Sequence, residues 1–321
     1  MLSGPPTPEV RKEIPEAFKK RFGIDVEYIG GRTGDLMTRM KSERSAGQYT
    51  VDALISGATS LYTQAYPDKM LDPLPPVLFH PEVTDPSKWV MGRLWFMDPE
   101  QQYILRLANY LSSNVVVNTQ FEKPEIKSWK DLLEPRYRGK ISAEDPSIAG
   151  SGSNTGAYLL QELGEDFVKA LYQGQEVALS RDTRQLSDWT ARGQYPISLS
   201  LGSNEIESLK KDGFQVVVLK DFSDAPGYVT AGFGLLALIN RAPHPNAAQL
   251  FVNWMAMKEG NELFNRNQVL VSTRTDVDKS YAPDYIIPRP GVKYFDTYSW
   301  EFTSTLRNPE QLERLKRLTS R

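Results

Sequence analysis

Short apolar segments alternate with amphipathic helical segments along most of this chain, and this alternation is its strongest constraint on the fold. Val10, Ile14 and Phe18 recur every four residues and predict a helix near the amino terminus. Strands are predicted at 24–29 and 51–55, with a second helix between them. Because strand–helix–strand units place their strands parallel and their helices on the faces of the sheet, the pattern predicts an α/β fold.

A second series of the same kind lies further along the chain. Strands are predicted at 140–142, 176–179, 197–201 and 215–219, separated by helices. A helix is also predicted for the C-terminal tail, where leucines recur at helical spacing. A chain of 321 residues is long enough for two domains of ordinary size, so the two series predict two α/β lobes.

The composition excludes several classes of protein. The 38 lysine and arginine residues and the 40 aspartate and glutamate residues are spread along the chain, a pattern that argues against a nucleic-acid partner. The absence of cysteine removes disulfides, thiolate metal sites and cysteine nucleophiles. The longest apolar stretch, 233–239, is far shorter than the roughly 20 residues of a membrane-spanning helix. Residues 1–6 have neither the basic nor the apolar region of a secretory signal.

Familiar catalytic signatures are missing from the sequence. The two histidines, His80 and His244, lie beside prolines and are predicted in loops, which argues against a histidine triad or a zinc site. No G-x-S-x-G nucleophile elbow occurs. The glutamates on predicted helices have basic neighbours and are interpreted as solvated. They are Glu13, Glu16, Glu162, Glu165, Glu205 and Glu207.

The segment 150–156 combines glycines, hydroxyl side chains and an asparagine directly before an apolar helical run. It matches neither the G-x-G-x-x-G template nor the P-loop. Two interpretations stay open. The segment is a flexible turn, or its unpaired backbone N–H groups bind an oxyanion with the help of the helix dipole.

Three motifs follow one another between residues 128 and 260. They are S-W-K-D-L at 128–132 with G-K-I at 139–141, then A-R-G-Q-Y-P-I at 191–197, then A-P-H-P-N-A-A at 242–248 with E-G at 259–260. Together they resemble the type II periplasmic solute-binding proteins of ABC importers, in the branch that includes ferric-ion, thiamine, polyamine and sugar-phosphate binders. The resemblance extends from about residue 3 to about residue 275.

The resemblance implies a two-lobed fold of the periplasmic-binding-protein type II (venus flytrap) class, with mixed, mainly parallel sheets flanked by helices. Lobe 1 would comprise residues 1–110 together with 236–321, which include the C-terminal helices. Lobe 2 would comprise residues 116–228. The crossover segments would lie near 109–117 and 228–236.

Ligands in such folds lie at the carboxyl ends of strands and the amino ends of helices, at the lobe interface. The implied ligand-binding residues are Ser3, Gly4, Arg32, Thr33, Ser56, Gly57, Ser151, Gly152, Ser153, Asn154, Thr155, Ser200 and Tyr228. Each is equally compatible with capping or turn duty. Hydroxyls, backbone amides and one arginine favour an organic anion as the ligand.

The implied function is that of the substrate-binding component of an ABC importer, which captures a small polar, anionic organic solute and delivers it to the permease. We expect a periplasmic or extracellular monomer that is not an enzyme and needs no cofactor. The alternative is a ferric-ion-binding protein. Against it, the adjacent tyrosine pair of the family's ferric binders is absent from this sequence, where 199–204 carries serines instead, and Fe(III) requires several hard ligands.

Two further classes are less favoured. An enzyme on the same fold would need an acid or base at the strand ends, and Asp145 is the candidate. An effector-binding transcription regulator would need a helix-turn-helix before Thr7, where there is no room for one. Relatives begin with a signal peptide and a buried first strand. We therefore expect this sequence to lack the signal peptide and the first strand.

Overall fold

The structure is a computed structural model that describes residues 2–5, 7–31, 33–112, 115–148, 150–306 and 309–320. Its strands are β1 Leu2–Gly4, β2 Tyr28–Gly30, β3 Ala53–Ser56, β4 Leu71–Asp72, β5 Leu105–Arg106, β6 Tyr110–Leu111, β7 Val115–Asn118, β8 Ile141–Glu144, β9 Ala178–Ser180, β10 Ile197–Ser198, β11 Val216–Leu219, β12 Tyr228–Thr230, β13 Leu235–Ile239 and β14 Phe295–Asp296. Its helices are α1 Pro8–Phe22, α2 Thr33–Ser45, α3 Ala58–Ser60, α4 Pro81–Thr84, α5 Ser151–Lys169, α6 Thr183–Ala191, α7 Ser203–Lys211, α8 Pro245–Ala256, α9 Lys258–Gln268, α10 Trp300–Leu306 and α11 Pro309–Thr319. The predicted α/β class is confirmed.

The chain divides into two compact units. The first contains Met1–Tyr110, Thr230–Pro283 and Tyr298–Trp300. Its sheet has the order β2-β1-β3-β13-β4, with β5 also paired to β13. Strand β1 is parallel to β2 and β3, whereas β13 is antiparallel to β3, β4 and β5. The carboxyl ends of β1, β2 and β3 therefore share one edge of this sheet.

Helix α1 shows how the apolar pattern becomes packing in the first unit. Val10, Ile14 and Phe18, the predicted stripe, are fully or almost fully buried. The ring of Phe18 lies 5.2 Å from that of Phe251 and 5.5 Å from that of Trp254, both on α8. Burial of such a side chain stabilises the fold by about 1.5–3 kcal/mol, so the stripe fixes α1 against the helices that follow β13.

The second unit contains Leu111–Val229, Asp284–Thr297 and Glu301–Arg321. Its five-stranded sheet has the order β11-β7-β10-β8-β9. Strands β9 and β10 are parallel to β8, while β7 is antiparallel to β10 and β11. Helices α5, α6 and α7 follow β8, β9 and β10 in the chain and begin at the carboxyl-end edge of those strands.

The C-terminal helix belongs to the second unit, whereas the sequence analysis assigned it to the first lobe. Leu315 of α11 is fully buried. A Cβ on Gly156 of α5 would lie 3.3 Å from its Cδ2 atom. The glycine thus allows α11 to approach α5 closely, a long-range contact that the amphipathic leucine pattern does not reveal.

The structure also shows where the chain passes between the units and where its first strand lies. The chain passes between the units at 110–111 within β6 and at 229–230 within β12, and again at 283–284, 297–298 and 300–301. Strands β6, β12 and β14 form a three-stranded sheet. The expected loss of the first strand is wrong, because Leu2–Gly4 forms β1 between β2 and β3. None of the helices formed by the described residues has the length and apolar character needed to cross a lipid bilayer.

Candidate functional site

The first unit places several predicted site residues at one sheet edge. Strands β1, β2 and β3 end there at Gly4, Gly30 and Ser56, and helices α2 and α3 begin next to it. Backbone N–H groups at the start of a helix are free to bind an acceptor. We call this region, made of these strand ends and helix starts, the first-unit edge.

Ser3 and Gly4 of β1 are both buried. Ser3 is 4% exposed. Gly4 leaves room for Tyr28, because a Cβ at this position would collide with the phenol oxygen. The Tyr28 hydroxyl donates to the carbonyl of Pro5 at 2.9 Å, and burial raises the pKa of Tyr28. Gly4 is thus explained by this close approach.

The next two predicted residues are Arg32 and Thr33. Arg32 is outside the described residues, so its predicted contact with an anion stays a prediction. Thr33 is the first residue of α2, and its side chain is not described either.

The start of α3 follows the end of β3 and carries buried hydroxyl groups. Ser56 is fully buried, and its hydroxyl donates to the Gly57 carbonyl at 3.4 Å. Gly57 precedes the helix in extended conformation and provides no side-chain cap. The Thr59 hydroxyl, in the first turn, is buried and has no hydrogen-bond partner among the described residues. A buried hydroxyl without a partner is costly, so this position suits a ligand acceptor.

A buried positive charge lies on the same face of this sheet. Leu235 is paired with Ser56 on one side and with Arg106 on the other, so the three residues form one row across the sheet. Arg106 is fully buried, with its guanidinium 4.3 Å from the ring centre of Trp95 and 5.9 Å from that of Tyr298. Two strand spacings separate its backbone from that of Ser56, about 10 Å. The guanidinium also donates to the Ala108 carbonyl at 3.0 Å and to the Asn109 side-chain oxygen at 2.7 Å, so it has protein partners of its own.

In the second unit, strands β8, β9 and β10 end at another common edge. Glu144, the last residue of β8, is paired with Ser180 of β9. Its carboxylate accepts hydrogen bonds from the Ser151 hydroxyl and, at 3.2 Å, from the Gly152 amide. Glu144 therefore caps the start of α5. The prediction that unpaired amides at this helix start bind an oxyanion is wrong for Gly152, because its amide already binds a carboxylate.

The other predicted residues of α5 also have partners inside the second unit. The Ser153 hydroxyl accepts from the Gly150 amide at 3.1 Å. The Asn154 amide donates to the Thr297 hydroxyl at 2.9 Å. The hydroxyls of Thr155 and Tyr228 lie 3.0 Å apart. These contacts join α5 to its surroundings and explain these polar side chains without a ligand.

Helix α7 begins beside the same edge with a second carboxylate. Glu205, in its first turn, reaches back to Gly202, where an added Cβ would lie 2.6 Å from its Oε2 atom, and the backbone N–H groups of Gly202 and Glu205 lower its pKa. Burial and then the charge of Glu144 raise the pKa of Glu205. The interpretation of Glu205 as a solvated glutamate is therefore wrong. Ser200, between β10 and α7, is 6% exposed, and its hydroxyl has no partner among the described residues.

Asp145, the candidate for enzymatic chemistry, is held as a carboxylate. Its side chain accepts from the Ser147 hydroxyl at 2.6 Å and from Arg181 at 3.1 Å. Burial opposes ionisation, but these partners outweigh it and lower the pKa of Asp145. A lowered pKa suits an ion pair and does not suit a general base near neutral pH. Among the described residues, no three His, Cys, Asp or Glu side chains form a group that could hold a metal ion.

Comparisons with known proteins agree with this architecture. The family described as bacterial extracellular solute-binding protein matches residues 2–267. A Salmonella typhi protein, named as a 2-aminoethylphosphonate-binding periplasmic protein, is 22% identical over 270 residues, which cover 83% of this chain and 74% of the relative.

Two solved structures have the same fold. The periplasmic binding protein AfuA from Actinobacillus pleuropneumoniae, with exogenous fructose-6-phosphate bound, superimposes with a TM-score of 0.74 at 16% identity, over 98% of this chain and 95% of that one. Iron-bound HitA from Pseudomonas aeruginosa gives a TM-score of 0.73 at 17% identity, over 100% and 98% of the two chains.

The chain belongs to the bacterial extracellular solute-binding protein family. The predicted class, a type II periplasmic solute-binding protein, is confirmed. It is a solute-binding component of an ABC importer and not an enzyme. Members of the family bind small molecules in the periplasm or outside the cell and deliver them to ABC permeases.

Sequence reasoning missed Thr59, Arg106, Glu144 and Glu205. A local pattern could have found Glu205, because a glutamate three residues after the residue that precedes a helix often reaches back to that residue's amide. No local pattern relates Glu144 to α5, since six residues separate the strand end from the helix start. No sequence pattern marks Thr59 or Arg106 as a candidate site residue. Only the fold does so, because it places both near Ser56.

Proposed function

We propose that this protein captures a small organic solute that carries an anionic group, and that the anion binds at the first-unit edge, to Ser56, Gly57 and Thr59. The observation that carries the proposal is the buried hydroxyl of Thr59, which has no partner among the described residues. It stands in the first turn of a helix that Gly57 leaves without a side-chain cap. An oxyanion would accept from this hydroxyl and from the amides of the first turn.

The surrounding charge supports an anion at this edge. Arg106 is fully buried on the face that carries Ser56, and its guanidinium lies over Trp95. A guanidinium remains charged when buried, so Arg106 adds positive potential to this face even though Ala108 and Asn109 accept its hydrogen bonds. Phosphonate and phosphate groups fit this environment, and they are the anionic groups of the solutes in the names of two similar proteins.

The test is calorimetric titration of the whole chain with 2-aminoethylphosphonate and with sugar phosphates, in the wild type and in Thr59→Val. A hydrogen bond to a charged group contributes about 1.5–3 kcal/mol, so affinity should fall about 10-fold or more. The valine should leave the ligand-free protein equally stable or more stable, because it removes an unpartnered hydroxyl.

Thr63→Val is the matched control. The Thr63 hydroxyl lies one turn further along and donates to the Thr59 carbonyl at 2.7 Å, so the same substitution there should leave affinity unchanged. Equal affinities for wild type and Thr59→Val would contradict the proposed contact. Tight binding of ferric ion with no binding of any phosphonate or phosphate would favour the ferric alternative instead.

We further propose that the two units are the two predicted lobes, and that the protein acts as a monomer in the periplasm or outside the cell. Light scattering of the purified chain at several concentrations tests the oligomeric state. A mass that doubles with concentration would contradict the monomer.

A further inference from the structure

We propose that the first-unit edge selects an anionic group that still carries a proton, because the space beside Gly57 is lined by two hydrogen-bond acceptors, the Gly232 carbonyl and the Tyr298 hydroxyl oxygen. This inference rests on the proposed function and specifies the protonation state of the group that binds there. The group that follows is a phosphate or phosphonate in its singly charged form, in preference to a sulfate or a sulfonate.

The three residues Gly57, Gly232 and Tyr298 all belong to the first unit. A Cβ on Gly57 would lie 3.5 Å from the Gly232 carbonyl oxygen and 3.5 Å from the Tyr298 hydroxyl oxygen. These are ordinary contact distances, so this side of the half-buried Gly57 has room for an atom of the solute. An anionic group bound at Gly57 therefore comes within reach of both oxygens.

The hydrogen of the Tyr298 hydroxyl is already used. It is donated to the Gly232 carbonyl at 2.7 Å. The phenol oxygen and the carbonyl oxygen each keep a lone pair that can accept. If the hydrogen turned toward the solute, the carbonyl would lose its donor, so at least one acceptor faces the solute in either arrangement. A solute oxygen without a proton is repelled there, whereas an O–H group donates.

Both acceptor oxygens are held in place by the surrounding chain. Gly232 has a positive φ of 55°, and its amide donates to the Thr230 hydroxyl at 3.3 Å. Tyr298 is 6% exposed, and its backbone carbonyl accepts from the Tyr62 hydroxyl at 3.0 Å. Because groups fixed in this way do not turn aside from an unprotonated oxygen, they discriminate against a solute that brings one.

Phosphorus and sulfur oxyacids differ in this proton. A phosphate monoester keeps one proton up to its second pKa, which is about 6. Sulfates and sulfonates carry none near neutral pH. Arg106, whose guanidinium lies 5.9 Å from the centre of the Tyr298 ring, adds positive potential for both kinds of anion. The proton, and not the charge, therefore separates the two classes at this site.

The test compares pairs of solutes that differ only in the oxyacid. Full-length protein is titrated calorimetrically at pH 6 with 2-aminoethylphosphonate and 2-aminoethanesulfonate, and with glucose-6-phosphate and glucose-6-sulfate. The phosphorus member should bind at least about 10-fold tighter in one of these pairs. An amine or a sugar hydroxyl is present in both members of its pair, so a donor elsewhere in the solute would give equal affinities.

The pH dependence distinguishes the proton from the charge. Affinity for the phosphorus solute should fall at least about 10-fold from pH 6 to pH 8, because little of the O–H form then remains. A site that recognises charge alone would bind the doubly charged form tighter and show the opposite trend. The ordinary pKa values of tyrosine and arginine, about 10 and above 12, lie outside this range. The side chains of these types described around this space are Tyr298, Tyr62, Tyr110 and Arg106.

Tyr298→Phe removes one of the two acceptors, so the preference for the phosphorus member should fall at least about threefold. Tyr158→Phe is the matched control, because the Tyr158 hydroxyl also donates to a backbone carbonyl, that of Pro226, and the preference should persist there. A purely structural role of Tyr298 would weaken both members of a pair equally and leave their ratio unchanged. Thermal unfolding shows whether each variant is folded.

The wild-type comparison keeps the test decisive if Tyr298→Phe fails to fold. Equal or tighter binding of the sulfur members, or an affinity for the phosphorus solute that does not fall from pH 6 to pH 8, would overturn the inference and leave the anion site standing. An unchanged ratio in folded Tyr298→Phe would overturn the part assigned to Tyr298. No binding of all four solutes would overturn the proposed function, and this inference with it.

Discussion

The hydroxyls of Thr155 and Tyr228 lie 3.0 Å apart, and both side chains are buried in the second unit. The contact joins α5 to β12, and the Tyr228 ring lies 4.5 Å from that of Tyr158. Burial raises the pKa of Tyr228, so its hydroxyl stays protonated at neutral pH. Both residues were predicted to bind ligand, yet they bind each other.

Tyr228→Phe should therefore lower stability and leave ligand affinity unchanged. The substitution leaves the Thr155 hydroxyl buried without its partner, at a cost of about 1–3 kcal/mol. Urea unfolding of Tyr228→Phe, Thr155→Val and the double variant measures the effect. The double variant should lose less stability than the sum of the two single losses. A large loss of affinity in a fully folded Tyr228→Phe would instead restore Tyr228 as a ligand contact.

The raised pKa of Glu205 predicts that stability falls as pH rises. Below the ordinary glutamate pKa, about 4.3, the carboxyl is protonated in both the folded and unfolded states. As pH rises, the unfolded chain ionises first, so stability decreases until the raised folded pKa is passed. The penalty is fully present above that pH.

Glu205→Gln should accordingly raise the melting temperature of the ligand-free protein near neutral pH, with a gain that disappears near pH 4. Thermal unfolding across this pH range measures it. Glu162→Gln, on α5 well away from its start, should show no such pH-dependent gain. A Glu205→Gln variant that is less stable than the wild type at neutral pH would show that the carboxylate stabilises α7 more than burial and repulsion destabilise it.

Local patterns were sufficient for predictions that concern a single helix or turn. The stripe of α1 identified its buried face, because apolar spacing records which side of a helix faces the core. The hydrogen bonds between Ser128 and Asp131 are also local, since both partners lie within one turn. The two lobes followed from the alternation of strands and helices together with the three family motifs.

Long-range contacts were not predictable from the same patterns. Glu144 reaches the start of α5 only because the strand end and the helix start meet in the fold. Leu315 joins the second unit because Gly156 admits it, although its own helix would suit any apolar surface. Most contacts at the strand ends of the two units are of this long-range kind. The sequence predicted hydroxyl groups at these strand ends, but it did not predict the contacts that Glu144 and Glu205 make there.

The cap at Ser128 predicts a pH-dependent loss of stability. The Asp131 carboxylate accepts from the Lys127 amide at 2.7 Å and from the Ser128 hydroxyl at 2.7 Å. The Ser128 hydrogen bond is the main cause of its lowered pKa. A carboxylate with a lowered folded pKa stabilises the protein above its ordinary pKa, and this stability is lost as pH falls through the folded value.

Asp131→Asn should lower the free energy of unfolding by about 1 kcal/mol at neutral pH, as expected for a cap. The difference from the wild type should shrink toward pH 3, because the unfolded chain already takes up the proton below the ordinary aspartate pKa of about 3.9. Urea unfolding at both pH values measures it. Asp212→Asn is the control, at an exposed position just after α7. An Asp131→Asn deficit that is constant with pH would show that the amide geometry, and not the charge, is responsible.

The close approach of α5 to β8 gives the last prediction. A Cβ on Gly152 would collide with the Glu144 carbonyl oxygen and lie 3.0 Å from that of Asp145. Backbone atoms cannot move aside as side chains do. Gly152→Ala should therefore destabilise the protein by about 2 kcal/mol or more, although alanine is intrinsically the better helix former by about 1 kcal/mol.

Gly174→Ala is the control, because a Cβ there would meet nothing within 4 Å. Its stability should stay within about 1 kcal/mol of the wild type. The Gly152 amide also binds Glu144, so a helix start displaced by the new methyl group should turn the carboxylate away. Urea unfolding of Gly152→Ala and Gly174→Ala measures both changes in stability. Wild-type stability in Gly152→Ala would show that the start of α5 can move away from β8 at little cost.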